Sequence, residues 1–280
     1  MAMKRKLKIS TIFFIVLVVI GIGFLMYPTV CDKYARWKLA RQIGQYNQVL
    51  ESEKEDYSEL WAAAEEYNRY LTEKESQFML SAEEKERIST LLNPLGTGMM
   101  GHIQIPKINV NLPVYQGTNE KELQSGAGWW MGSSLPTGGE STHCIITAHT
   151  GLVKAKMFTD VDQLEIGDRF TLSVMDRELH YEVDQILVTE PEDMSELYIK
   201  EGEDYVTLYT CTPYGINTHR LLVRGKRVFP ENVDGNAESE KTGRLTEHQM
   251  ITAVMIFACL SAFTVFMILR QKKNRKKEGN

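Results

Sequence analysis

TLYTCTPYGINTHRLLVRG, residues 207–225, decides how the rest of the chain is read. Tyr205 to Thr210 is rich in β-branched and aromatic residues and reads as a strand that runs into Cys211. Pro213 and Gly215 supply turn chemistry, and Leu221 to Val228 reads as a second strand. If the two pair as an antiparallel hairpin, residues facing each other at its mouth stand about 5 Å apart at Cα. The thiol of Cys211 would then lie beside the guanidinium of Arg220 at the end of a rigid sheet. A fixed cation lowers a thiol's pKa or holds an oxyanion, so the pair has the makings of half a nucleophilic site.

A cysteine nucleophile also needs a base or an imidazolium partner, which can lie far away in sequence. His149 ends the apolar run Cys144-Ile-Ile-Thr-Ala-His149 and precedes Thr150-Gly151, where a strand becomes a loop. Alone, such a histidine is more often structural; together with the Cys-to-Arg hairpin it becomes the candidate partner. Zinc is the rival use of His143, Cys144, His149, Cys211 and His219, but no close Cys-x-x-Cys or His-Glu-x-x-His pair supports it. In a regular strand Cys144 and His149 would also point to opposite faces. Cys144 therefore reads as a small buried hydrophobe and His219 as a structural histidine. A Cys144–Cys211 disulfide is conceivable in an oxidising compartment, but a free reactive thiol is the preferred reading.

Outward from this centre, two uncharged apolar stretches bracket the chain, residues 9–28 and 249–269. Each is near the roughly 20 residues that a helix needs to cross a bilayer. The first has too long an apolar run, and too poor a cleavage site, for a signal peptide, and reads as a retained anchor. Basic tails flank both: Lys4, Arg5, Lys6 and Lys8 at residues 1–8, and Arg270 to Lys277 within 270–280. The positive-inside rule makes both termini cytoplasmic and turns the segment between the spans outward. Outside the tails 36 Asp and Glu face 22 Lys and Arg, which argues against nucleic acid as a partner.

Residues 29–95 read as charged helices. Tyr57, Leu60, Trp61, Ala64, Tyr67 and Leu71 recur at helical steps, and Ser81-Ala-Glu-Glu84 has capping-box spacing for a second helix ending before Asn93-Pro94. After Gly96-Thr97-Gly98 the texture changes to short strands: His102–Ile105, Leu112–Tyr115, Cys144–Ala148, Arg169–Val174, Leu179–Val188, Tyr205–Thr210 and Leu221–Val228. Their spacing suggests a barrel or sandwich over residues 96–230. Residues 231–248 read as a polar linker. Leu135-Pro-Thr-Gly-Gly139 reads as a loop turn ahead of the strand at Cys144.

Three ordered blocks resemble the sortases, and among them the class C, pilin-polymerising type. TLYTCTPYGINTHRLLVRG is similar to the signature around the nucleophile, SLPTGGESTHCIITAHTGL (134–152) to the segment ending in the family's histidine, and MGHIQIPKINVNLPVYQGT (100–118) to its first strands. The Tyr27-Pro28 exit and the C-terminal span also suit class C. The resemblance implies a mostly β fold: a closed barrel of about eight strands with N-terminal helices, flanked by two transmembrane helices. It assigns the nucleophile to Cys211, the imidazole to His149, the oxyanion-stabilising cation to Arg220 and a substrate contact to Thr210, whose alternative role is strand packing. It implies no cofactor and no metal.

The implied reaction is cleavage of LPxTG-like signals at Thr–Gly through a thioacyl enzyme, resolved by an amine acceptor: a pilin lysine, or a peptidoglycan cross-bridge. Two departures are visible. No Asp-Pro occurs to form the Asp-Pro-aromatic lid, so the site is expected to be open or differently covered; and Gly128-Trp129-Trp130 stands where the family usually has Gly-His, leaving that position without a catalytic role. The competing readings are a housekeeping enzyme anchoring proteins singly and a non-catalytic surface scaffold.

Overall fold

The computed structural model describes residues 9–53, 56–152 and 155–229. Helix α1 spans Ile9–Glu53 and runs on through Pro28, where the apolar span was expected to end. A proline inside a helix removes one backbone hydrogen bond, a local loss that does not end this helix. Among the described residues, α1 holds the one stretch long and apolar enough to cross a membrane, within Val16–Ser52. The expected second span, 249–269, the linker and both basic tails lie outside the described residues.

From Cys31 onward α1 belongs to a unit with the rest of the described chain. Leu39, Ile43 and Tyr46 follow at helical spacing and are buried, and the Tyr46 hydroxyl donates to the Met100 carbonyl at 2.7 Å. Helix α2, Ser58–Glu73, buries Trp61, Ala64, Tyr67 and Leu71, most of the stripe expected from the sequence. Helix α3, Ala82–Ile88, opens on the expected capping box: Ser81 accepts from Glu84 N while the Glu84 carboxylate accepts from Ser81 N. Residues 29–95 thus share one core with the strands, and each fully buried large side chain there contributes roughly 2 kcal/mol.

Eight strands close into a barrel in the order β1-β2-β3-β4-β7-β8-β6-β5. They are β1 Met99–Ile105, β2 Val110–Gln116, β3 Ala127–Trp129, β4 Thr142–Thr147, β5 Arg169–Val174, β6 Arg177–Thr189, β7 Asp204–Thr212 and β8 His219–Val228. The short β3 had no counterpart in the sequence reading. It pairs parallel to β2, and β4 pairs parallel to β7; the other neighbours are antiparallel. The helix α4, Glu120–Ser125, fills the crossover between β2 and β3.

Alternation gives the barrel two faces. Cys144, Ile146, Ala148, Val206, Leu208, Leu221 and Val223 point inward to the main core. On the opposite face a smaller cluster joins Ile145, Leu197, Tyr209 and Leu222, flanked by Phe78, Trp130, Leu187 and Met194. Residues 135–139 form the loop turn expected there, with Gly138 and Gly139 at positive φ.

Candidate active site

The β7–β8 hairpin forms as read, with Cys211 paired to Arg220. The third residue arrives by a route the sequence does not state. Strand β4 lies parallel to β7 on its other side, in a register that runs from Thr142↔Asp204 to Thr147↔Tyr209. Two residues further along, the same register brings His149 level with Cys211. The exit from β4 is fastened at that point: Ala148 N donates to Tyr209 O at 3.4 Å, and the Thr210 hydroxyl donates to Ala148 O at 2.8 Å and lies 2.6 Å from the Thr150 hydroxyl. Cys211 and Arg220 are thus paired across β7 and β8, and the β4–β7 register, continued two residues past the end of β4, puts His149 in the same row.

Cys211 and Tyr209 share a face, and Tyr209 packs in the outer cluster, so the row lies on the barrel's outer wall. All three residues of the row are half-buried. Cys144 alternates to the inside, 3% exposed, and burial pushes its thiol well above the usual range. Cys31, Cys144 and Cys211 are all free thiols.

Thr210 was expected as a substrate contact, with strand packing as the alternative. Its side chain is buried, turned away from Cys211, and spent on Ala148 O and Thr150. Its position next to Cys211 makes it alternate inward, and its work is the strand packing given as the alternative.

Arg220 Nη1 donates to the carbonyls of Asn217 and His219, at 3.1 and 3.0 Å, and so fixes the base of the β7–β8 loop. The guanidinium also reaches Tyr209, whose hydroxyl pKa is raised by burial against the lowering influence of Arg220. Gly151, at φ +82°, lies under the Tyr214 ring, 3.4 Å from where a Cβ would stand. A side chain there would be strained and would press on that ring. His149 has Nε2 buried and, among the described residues, without a hydrogen-bond partner, 3.6 Å from Glu120 Oε2.

Some residues near the row had no role in the sequence reading. Trp130 meets Tyr209 edge-on at 5.0 Å, and Phe78, from the segment between α2 and α3, packs against Trp130 at 6.3 Å and Tyr198 at 5.4 Å. Gln77 beside it is buried and accepts from Ile199 N at 3.2 Å. This segment lies over the outer cluster at Tyr209, one step along β7 from Cys211. His219 is half exposed, with Nε2 3.3 Å from Glu190. His143 is buried, its ring nitrogens 3.0 Å from Tyr198 O and 2.7 Å from the Thr207 hydroxyl.

An eight-stranded barrel that carries Cys, His and Arg in one row on its outer wall defines the class of molecule to compare. Residues 103–228 match the sortase domain. The crystal structure of sortase C1 from Streptococcus agalactiae is similar at 44% identity and a TM-score of 0.65, covering 68% of this chain and 98% of that one. Sortase C of Streptococcus pneumoniae, whose structure is titled for catalysis and pilin substrate specificity, is 41% identical with a TM-score of 0.59, covering 68% and 97%. Sortase D of Bacillus subtilis is 30% identical over 131 residues, 46% of this chain and 63% of that protein. The chain spans less than two thirds of the length of the curated relatives it matches. It belongs to the sortase family, a family of cysteine transpeptidases.

Proposed function

We propose that this protein is a membrane-anchored transpeptidase that polymerises pilin subunits. What supports this reading is the Cys211–Arg220 pair on β7 and β8, with His149 carried towards it by the β4–β7 register. The Cys211 thiolate attacks the Thr carbonyl of an LPxTG-like signal, and the oxyanion that forms is held by the Arg220 guanidinium. Collapse breaks the Thr–Gly bond: His149 gives its proton to the departing glycine amine, leaving a thioester on Cys211. A lysine amine of the next pilin attacks that thioester, His149 takes the amine's proton, and the thiolate leaves as a new amide forms. Atoms and charge balance without metal or cofactor.

The catalytic part faces outward, held by α1 and, in this reading, by a second span at 249–269, with both termini cytoplasmic. The pilin-related neighbours favour polymerisation. Resemblance to Sortase A of Bacillus anthracis, 30% identical over 130 residues, favours single anchoring to peptidoglycan as the second reading.

The test combines a peptide and a cell. Incubated with an LPxTG-type peptide, the full-length protein should accumulate a thioester at Cys211 detectable by mass spectrometry. Cells producing it should link pilin into ladders of covalent multimers. Thioester without multimers selects the anchoring reading; no thioester on any sorting-signal peptide leaves only a non-catalytic surface module.

A further inference from the structure

Glu120 is the first residue of α4, and its placement is built rather than incidental. Strand β3 lies beside β4, with Gly128 paired to Thr147. At Gly128 a Cβ would stand 2.3 Å from the Gly117 carbonyl oxygen and 3.1 Å from the Leu123 side chain, so a glycine there lets the chain before α4 and Leu123 of α4 close on β3. The helix so seated directs Glu120 to His149, Oε2 standing 3.6 Å from Nε2, while Glu120 Oε1 accepts from Gln124 Nε2 at 2.7 Å. The other carboxylate oxygen is thus held one helical turn away, and the ring nitrogen it faces has no hydrogen-bond partner among the described residues.

We propose that Glu120 is a positioning carboxylate for His149, acting through the imidazole and not on substrate. This rests on the reading of His149 as the proton carrier. At 3.6 Å the contact is an ion-pair distance rather than a hydrogen bond, so Glu120 acts by setting its charge beside the Nε2 edge of the ring while His149 carries the proton to and from the amine. Glu120 from α4 is the charged group in ion-pair distance of His149, with the Cys211–Arg220 pair of β7 and β8 and Tyr214, which lies over Gly151, on the neighbouring elements. Glu120 is 67% exposed, so its influence is modest and screened by salt.

The experiment measures alkylation of Cys211 by iodoacetamide against pH in the full-length protein in detergent, read on the Cys211 peptide by mass spectrometry. Glu120→Gln keeps the size and loses the charge. It should change the rate of Cys211 alkylation near neutral pH by about twofold at low ionic strength and reduce kcat/KM about two- to fivefold. Both changes should fade near 1 M salt, where the Debye length is about 3 Å. Glu120→Asp should recover part of the change, and Gln124→Ala should move the rate in the same direction by less. A Glu120→Gln profile that overlies the parent at low salt, in a protein with unchanged melting temperature, overturns the proposal. The alkylation profile needs no peptide, so an absence of turnover in the parent protein would count against the transpeptidase reading while still testing Glu120.

Discussion

His143 and His149 occupy the same face of the same strand path, six residues apart, and meet opposite fates. His143 is 0% exposed, and both its nitrogens are engaged. Burial pulls its pKa down to about 4, against the raising effect of the Tyr198 carbonyl. It is a neutral ring, donating from Nδ1 to the Tyr198 carbonyl and accepting at Nε2 from Thr207. His149 lies past the end of β4, half-buried, with a carboxylate as the neighbour of a ring nitrogen that has no hydrogen bond among the described residues. The same side chain is a structural cross-brace where the wall is covered and, past the end of the strand, stands beside a carboxylate instead. What separates them is three more steps of alternation along the barrel.

The thiols make the same contrast, and it gives the largest expected effect. Cys211→Ala should abolish thioester formation, a loss of at least about 10³-fold, with the barrel intact. Cys144→Ala should leave turnover unchanged and cost about 1 kcal/mol in melting experiments, the price of one small buried group. Turnover by the Cys211 variant would end the distinction drawn between the inner and outer thiols.

Arg220 sharpens it next. Lysine would keep the charge but lose the planar fork that bonds two carbonyls in the β7–β8 loop. Arg220→Lys should therefore lower kcat by roughly 10- to 100-fold, a size suited to losing an oxyanion donor. A full rate in this variant would show that charge alone suffices there.

How far the sequence reveals this arrangement depends on the kind of contact. The Cys211–Arg220 hairpin is local, and alternation plus turn residues expose it. The capping box at Ser81 and the stripe from Tyr57 to Leu71 are local too, and both form. The parallel pairing of β4 with β7 joins residues 62 apart and leaves no mark in either strand's pattern. Placing His149 beside Cys211 therefore needed the family resemblance. Strand β3 was missed because three residues, one of them Gly128, are too few to show alternation. Trp130 and Phe78 were passed over because their contacts arise only when the loop after β3 and the segment between α2 and α3 meet over β7. Adjacency in sequence to Cys211 means the opposite face in a strand, and Thr210 accordingly lies buried on the inner face.

The histidine comparison can be tested by pH. His143 has a folded-state pKa lowered to about 4 from an ordinary 6.5, so between these values the unfolded chain binds more protons than the folded one. Its contribution is fully present above 6.5 and is lost as pH falls towards 4, by up to roughly 3 kcal/mol. Asp204, whose pKa burial raises, contributes in the opposite direction, so the difference between parent and variant is the quantity to read. His143→Gln should melt lower at pH 7, by the equivalent of about 1–3 kcal/mol, and the gap should narrow as pH falls to 4. A gap that stays constant across this window would mean that His143 is not held neutral by its surroundings.

The smallest effect concerns Phe78, the aromatic that lies over the wall where a lid motif was missing from the sequence. Its contacts are with Trp130 and Tyr198, around the Tyr209–Leu222 cluster, one step from the Cys211–Arg220 pair. Cys211 itself is half-buried with Phe78 in place. Phe78→Ala should therefore cost about 1–2 kcal/mol of stability through lost apolar burial, yet change the rate of Cys211 alkylation by less than about twofold. A tenfold acceleration would show that this segment shields the thiol, and the open end of the wall would then be closed in the resting protein. The contrast between His143 and His149 would become one between permanent and removable cover.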